Sequence, residues 1–131
     1  MVILITIAAT LSAAMHVLIF YWESLAWTRP AVWKRFGLAS ADDAETTRVL
    51  AYNQGFYNLF LAIGALIGSI IYGLGSTEAG FALGLFAVAC MFAAAVVLVT
   101  SGKGRVRAAL VQGFFPLVTI VLYLVSWMVE R

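Results

Sequence analysis

Between Val49 and Thr100 the chain carries one charged residue, Glu78. A helical membrane crossing takes about 20 apolar residues, so this tract is too long for one crossing and must fold back on itself. The break falls at Tyr72-Gly73-Leu74-Gly75-Ser76-Thr77-Glu78, where two glycines supply turn conformations and Ser76 or Thr77 can cap the next helix. Apolar segments also stand on either side, and the spans are predicted at about 1–22, 49–72, 79–100 and 108–128. Composition agrees: 64% of the chain is apolar and 11% charged, against roughly 45–50% and about 25% in soluble domains. The expected fold is a single membrane domain, an all-α integral membrane protein built as an antiparallel four-transmembrane-helix bundle. The first span starts at the initiator Met without a basic n-region or a cleavage segment, and is expected to be retained.

Orientation follows from the basic residues. Arg29, Lys34, Arg35 and Arg48 lie in the first loop and Lys103, Arg105 and Arg107 in the third, leaving only Arg131 for the other side. The positive-inside rule therefore predicts a plasma (inner) membrane protein with loops 23–48 and 101–107 cytoplasmic and both termini outside. The segment Trp27-Thr28-Arg29-Pro30-Ala31-Val32-Trp33-Lys34-Arg35-Phe36-Gly37 has Pro at a helix start and Gly at its end. It predicts a short interfacial helix at about 30–37, with Trp27, Arg29, Trp33, Lys34 and Arg35 at the lipid headgroups. Ser40-Ala41-Asp42-Asp43 reads as a helix N-cap with acids in the first turn. The second helix is accordingly expected to start near residue 41 and to project below the membrane.

Polar groups inside a bilayer are expensive, so those present point to a site. His16 and Glu23 stand seven apart, two turns along one face of helix one, with Ala9, Ser12 and Ala13. Helix two offers a stripe of Gln54, Asn58, Ala62, Ala65 and Ser69, and helix four one of Gln112, Pro116, Thr119, Tyr123 and Ser126. Given the alternating direction of the helices, His16, Glu23, Asn53, Gln54, Asn58 and Gln112 all fall in the cytoplasmic half, with Tyr57 as a weaker member. A polar pocket opening toward the cytosol is the expectation, with dry packing in the outer half, where Gly64-x-x-x-Gly68 and Gly80-x-x-x-Gly84 permit close approach. Gln54-Gly55-Phe56-Tyr57-Asn58-Leu59 and Gln112-Gly113-Phe114-Phe115-Pro116-Leu117 also hint at a duplicated helical hairpin.

The sequence offers no hydrolytic triad, phosphate-binding glycine loop or paired intramembrane carboxylates, and so no reaction to attach to His16 and Glu23. No cofactor is expected. A metal site of His16, Glu23 and amide oxygens lacks a second strong nitrogen or sulfur ligand, Cys90 in the apolar third helix reads as packing, and a net charge of +2 does not make a nucleic-acid surface. Partners are expected to be the lipid bilayer and a partner membrane protein or a second copy of the chain. His16-x6-Glu23, Trp33-x2-Phe36-Gly37 and Asn53-Gln54-Gly55-Phe56-Tyr57-Asn58-x2-Leu61-Ala62-x-Gly64 together resemble a bacterial family of small four-span membrane proteins of unknown function. That resemblance implies the four-span fold and brings no activity. Three functions compete: a binding or accessory protein for a small or amphiphilic ligand, a lipid or a partner membrane protein; a dimeric proton-coupled transporter; and a membrane enzyme acting on a lipid or quinone.

Overall fold

The computed structural model describes residues 1–102 and 104–129. Lys103, placed above in the third loop, and Glu130 and Arg131, placed in water at the C-terminus, lie outside the described residues. Helix α1 (Val2–Phe20) runs directly into one turn of π-helix, Tyr21–Leu25. A four-residue helix α2 (Pro30–Trp33) follows, then α3 (Ala41–Gly73), α4 (Thr77–Thr100) and α5 (Val106–Val129). The described residues contain no strand. Counting the π-turn with α1, four helices are long and apolar enough to cross a membrane, and the protein is a multi-pass membrane protein.

Helix ends form where local chemistry supplies them. The Ser40 side chain accepts the Asp43 N–H at 3.1 Å, capping α3 with Asp42 and Asp43 in its first turn. The α3–α4 connection turns at Gly75, whose φ of +97° is open to glycine at little cost. Where a helix was expected over about 30–37, α2 stops after Trp33 and the chain continues in single hydrogen-bonded turns to Gly37, at φ +79°. That left-handed residue releases the chain toward Ser40.

The four long helices close a ring in chain order: α3 lies between α1 and α4, and α5 between α4 and α1. Small residues set its tightness. A Cβ on Gly68 would strike the backbone of Gly84 and one on Gly80 the backbone of Tyr72, so α3 and α4 meet nearly backbone to backbone, while one on Gly84 would strike the Tyr123 hydroxyl that α5 inserts there. Gly64 is different, since its added Cβ would sit 3.4 Å from Ala87 Cβ in ordinary contact. The half of the bundle expected to pack dry also holds polar groups, because Tyr72 and Ser126 pair through their hydroxyls at 2.8 Å and the buried Tyr123 ring meets Tyr72 and Phe81 edge to face. Burying an aromatic hydroxyl there costs less than leaving it in hydrocarbon unpaired.

The contrast between two glycines of one motif gives a test. Gly68→Ala should cost about 1–3 kcal/mol through overpacking, whereas Gly64→Ala should stay within about 0.5 kcal/mol of the parent. Reversible unfolding in micelles reads both, and equal effects would contradict the register of α3 on α4.

Candidate polar site in the bundle

The site is built at the junction of α1 and α3. At the π-turn the Ala26 N–H reaches back five residues to the Tyr21 carbonyl at 3.0 Å, so the turn holds one residue more than an α-helix would. Two bonds to α3 tie it there: Ser24 Oγ donates to the Tyr52 carbonyl at 2.8 Å, and Asn58 Nδ2 donates to Glu23 Oε2 at 2.8 Å. Gly55 makes the approach possible. A Cβ at that position would strike the Ser24 side chain and lie 3.0 Å from Ser24 N and 3.1 Å from Glu23 Cβ. Asn58 is held in turn by its second bond, to the Gln54 carbonyl at 3.1 Å, and Glu23 keeps only 9% exposure.

His16 is fully buried on the same face of α1. Its Nδ1 lies 2.9 Å from the Ser12 carbonyl, which can only accept, so Nδ1 carries a proton and, when the ring is neutral, Nε2 presents the lone pair. Nε2 is buried with no hydrogen-bond partner among the described residues. Ser12 Oγ meets Thr119 Oγ1 of α5 at 3.2 Å, so buried polar groups continue from the His16 level into the next helix. An accepting nitrogen in such a place can take a hydrogen bond or a proton from whatever reaches it. Among the described residues no three His, Cys, Asp or Glu side chains gather as a metal site would require.

The structure brings Glu23 and Asn58 into contact and buries His16 seven residues earlier in the first span, hydrogen-bonded to its own helix and to neither of them among the described residues. Asn53, Gln54 and Tyr57 are exposed on α3, Gln112 is half-buried on α5, and among the described residues none of these four makes a side-chain hydrogen bond. Depth accounts for Asn53 and Gln54, while Tyr57 lies level with Asn58 on the outward face of α3. At 1.5 Å per residue Asn58 lies about 22 Å along α3 from Gly73, inside a hydrocarbon layer about 30 Å thick, while Gln54 and Asn53 reach its edge and can meet headgroups or water.

In the first loop, Trp27 and Trp33 are buried against protein together with Ala26, Val32, Ala44 and Ala51. Trp27 Nε1 donates to the Ala44 carbonyl at 3.0 Å and to Thr47 Oγ1 at 3.2 Å, and its ring meets Phe36 edge to face. These tryptophans face α3 and the loop rather than lipid. Arg29, Lys34 and Arg35 are exposed, with Arg29 donating to the Tyr21 hydroxyl at 3.0 Å and Arg35 stacked over Trp22 at 4.5 Å. The loop is thus a folded cap over the π-turn. Sequence reasoning missed the π-turn and the roles of Ser24 and Gly55; the one signal for it is the glycine lying opposite a small polar residue at a span's end.

If the Glu23–Asn58 bond joins α1 to α3, the two residues are energetically coupled. A double-mutant cycle of Glu23→Ala and Asn58→Ala, followed by unfolding in micelles, should return a coupling of about 0.5–1.5 kcal/mol. Additive effects would show that the contact contributes nothing.

No curated protein is similar to the chain, and no solved structure matches it. A family profile does, over residues 10–124, which includes His16, the π-turn, the α3 polar segment and Gln112. The chain therefore belongs to the family described as "Protein of unknown function (DUF1304)".

Proposed function

We propose that this protein is a binding or accessory membrane protein, whose buried Glu23, Asn58 and His16 engage a small amphiphilic ligand, a lipid or a helix of a partner membrane protein. The observation that carries the reading is the His16 Nε2 lone pair, buried and unspent in the span that also buries the carboxyl group of Glu23. Bundle glue needs neither: an amide pair would join the helices at lower cost than a carboxylate. An occupant suited to the site brings an N–H or O–H donor to Nε2 and an apolar body to lie along the helices. Tyr57, Asn53 and Gln54 on the exposed face of α3, and Gln112 on α5, supply its outer contacts. The partner is a lipid, a membrane protein or a second copy of this chain.

A second reading, a proton-coupled transporter working as a dimer, gains support from the π-turn, which carries Glu23 into the protein interior instead of leaving it at the water boundary. One preparation separates the two. Extraction into native-lipid discs and mass spectrometry of everything retained should find a stoichiometric companion that is lost from the His16→Ala/Asn58→Ala double variant. An empty, dimeric preparation contradicts the binding reading and favours the transporter, in which Glu23→Gln abolishes proton flux.

The protein is further proposed to sit in the plasma (inner) membrane with loops 23–48 and 101–107 cytoplasmic, on the strength of the seven basic residues in those loops. With Cys90→Ala as background, single thiols at the exposed positions Ser101 and Ser76 test it. An impermeant maleimide added outside intact cells should label residue 76 and spare residue 101. The reverse pattern would invert the protein and the side from which the site is reached.

A further inference from the structure

A cleft of about 480 Å³ opens beside the π-turn, between the end of the first span and the lower part of α3. Its lining includes Ser24, Leu25, Thr28, Arg48, Val49 and Tyr52. We propose that this cleft binds the phosphodiester of an anionic phospholipid, with Arg48 as the cation that holds it. The inference is independent of how Glu23 and His16 are used.

Depth is the first argument. Arg48 lies about 37 Å along α3 from Gly73, and Leu25 about 35 Å from Val2 on the antiparallel first span, whereas the hydrocarbon layer is about 30 Å thick. Both walls of the cleft therefore stand at the level of the headgroups, a few ångströms beyond the acyl chains. Chemistry is the second. The Arg48 side chain is 60% exposed, and its one ion pair among the described residues is with Glu45 at 3.2 Å, a neighbour three residues away and equally exposed. Such a surface pair holds the arginine weakly, and a phosphate accepts from a guanidinium through two parallel bonds. Thr28, exposed and without a hydrogen bond among the described residues, offers a hydroxyl on the opposite wall. Shape is the third. Leu25 is 61% and Val49 69% exposed among the lining residues, so the cleft offers apolar surface for the glycerol and first acyl carbons of a headgroup-bound lipid. A soluble phosphate would use the cation and leave that apolar surface without a partner.

The test is lipid retention. The intact protein is placed in discs of phosphatidylcholine doped with a minority of phosphatidylglycerol, and co-purifying lipid is quantified by mass spectrometry after exchange into detergent. Arg48→Gln should lower retained phosphatidylglycerol about fivefold, the loss expected for one basic residue at the headgroups. Glu45→Gln should raise it by freeing the guanidinium, and Arg35→Gln, on the same basic loop but outside the cleft, should lower it clearly less than Arg48→Gln does. An equal fall with Arg35→Gln would mean diffuse attraction to the basic loop and overturn the site. Displacement of the lipid by millimolar inorganic phosphate would assign the cleft to free phosphate instead. No change in Arg48→Gln would overturn the proposal outright, and since Arg48 is exposed, an unchanged unfolding profile will show that the variant is folded.

Discussion

In hydrocarbon no hydrophobic force draws one apolar helix to another, so a small bundle depends on close backbone packing and on the polar bonds that packing permits. Here that dependence is concentrated where α1 meets α3. Gly55 lets the end of the first span come within contact of α3, and at that distance the wide turn of Tyr21–Leu25 is anchored by Ser24 to the Tyr52 carbonyl and by Glu23 to Asn58. A π-turn leaves its own helix imperfectly packed, and bonds of this kind from a neighbour sustain it. The loop then folds back on the result. Trp27 donates to Ala44 and Thr47 on the first turns of α3, closing the cap.

This junction determines what the interior can offer. By holding the turn, it keeps Glu23 facing Asn58 and inside the protein, and it begins a series of buried polar side chains that passes His16 and Ser12 to Thr119 and ends at Tyr123, Ser126 and Tyr72. Most of the seam satisfies itself. The exceptions are His16 Nε2 and the Tyr123 hydroxyl, both buried without a hydrogen bond among the described residues. Polar groups left unpaired in a chain this apolar are costly, and the proposed ligand site rests on the first of these two.

Much of the fold was legible in the sequence, because hydropathy counts spans well and small residues declare which face packs. Ala9, Ser12, Ala13 and His16 on α1, Ala62, Ala65 and Ser69 on α3, and Pro116, Thr119, Tyr123 and Ser126 on α5 are all buried as their stripes predicted. The reading slipped at the membrane edge. Gln54 was placed inward because a polar group in lipid must be, yet it lies where the hydrocarbon ends, and Gly55 takes the packing position. The duplicated segment shows the same logic, since Gly55 meets Ser24 in its hairpin while Gly113 meets Ala95 in the other. The π-turn was invisible because one extra residue barely disturbs an apolar pattern, and the bonds that sustain it come from residues 28 and 35 positions away. The tryptophans looked like lipid anchors for a related reason: aromatic and basic residues together mark an interface, but only the tertiary contact with α3 decides which side of it they face.

The central claim is that the seam at His16 receives a group from outside the chain. Because the chain has one histidine, a sample labelled with ¹⁵N only at histidine gives a spectrum that needs no assignment. The measurement is the ¹⁵N shift of Nε2, compared between delipidated protein in a minimal detergent and protein kept in native-lipid discs. The account predicts an Nδ1-protonated ring with a bare accepting Nε2 in the first sample, and an Nε2 signal moved toward a hydrogen-bonded or protonated nitrogen in the second. Identical spectra in both would make His16 a structural residue of the bundle and remove the basis for a ligand site.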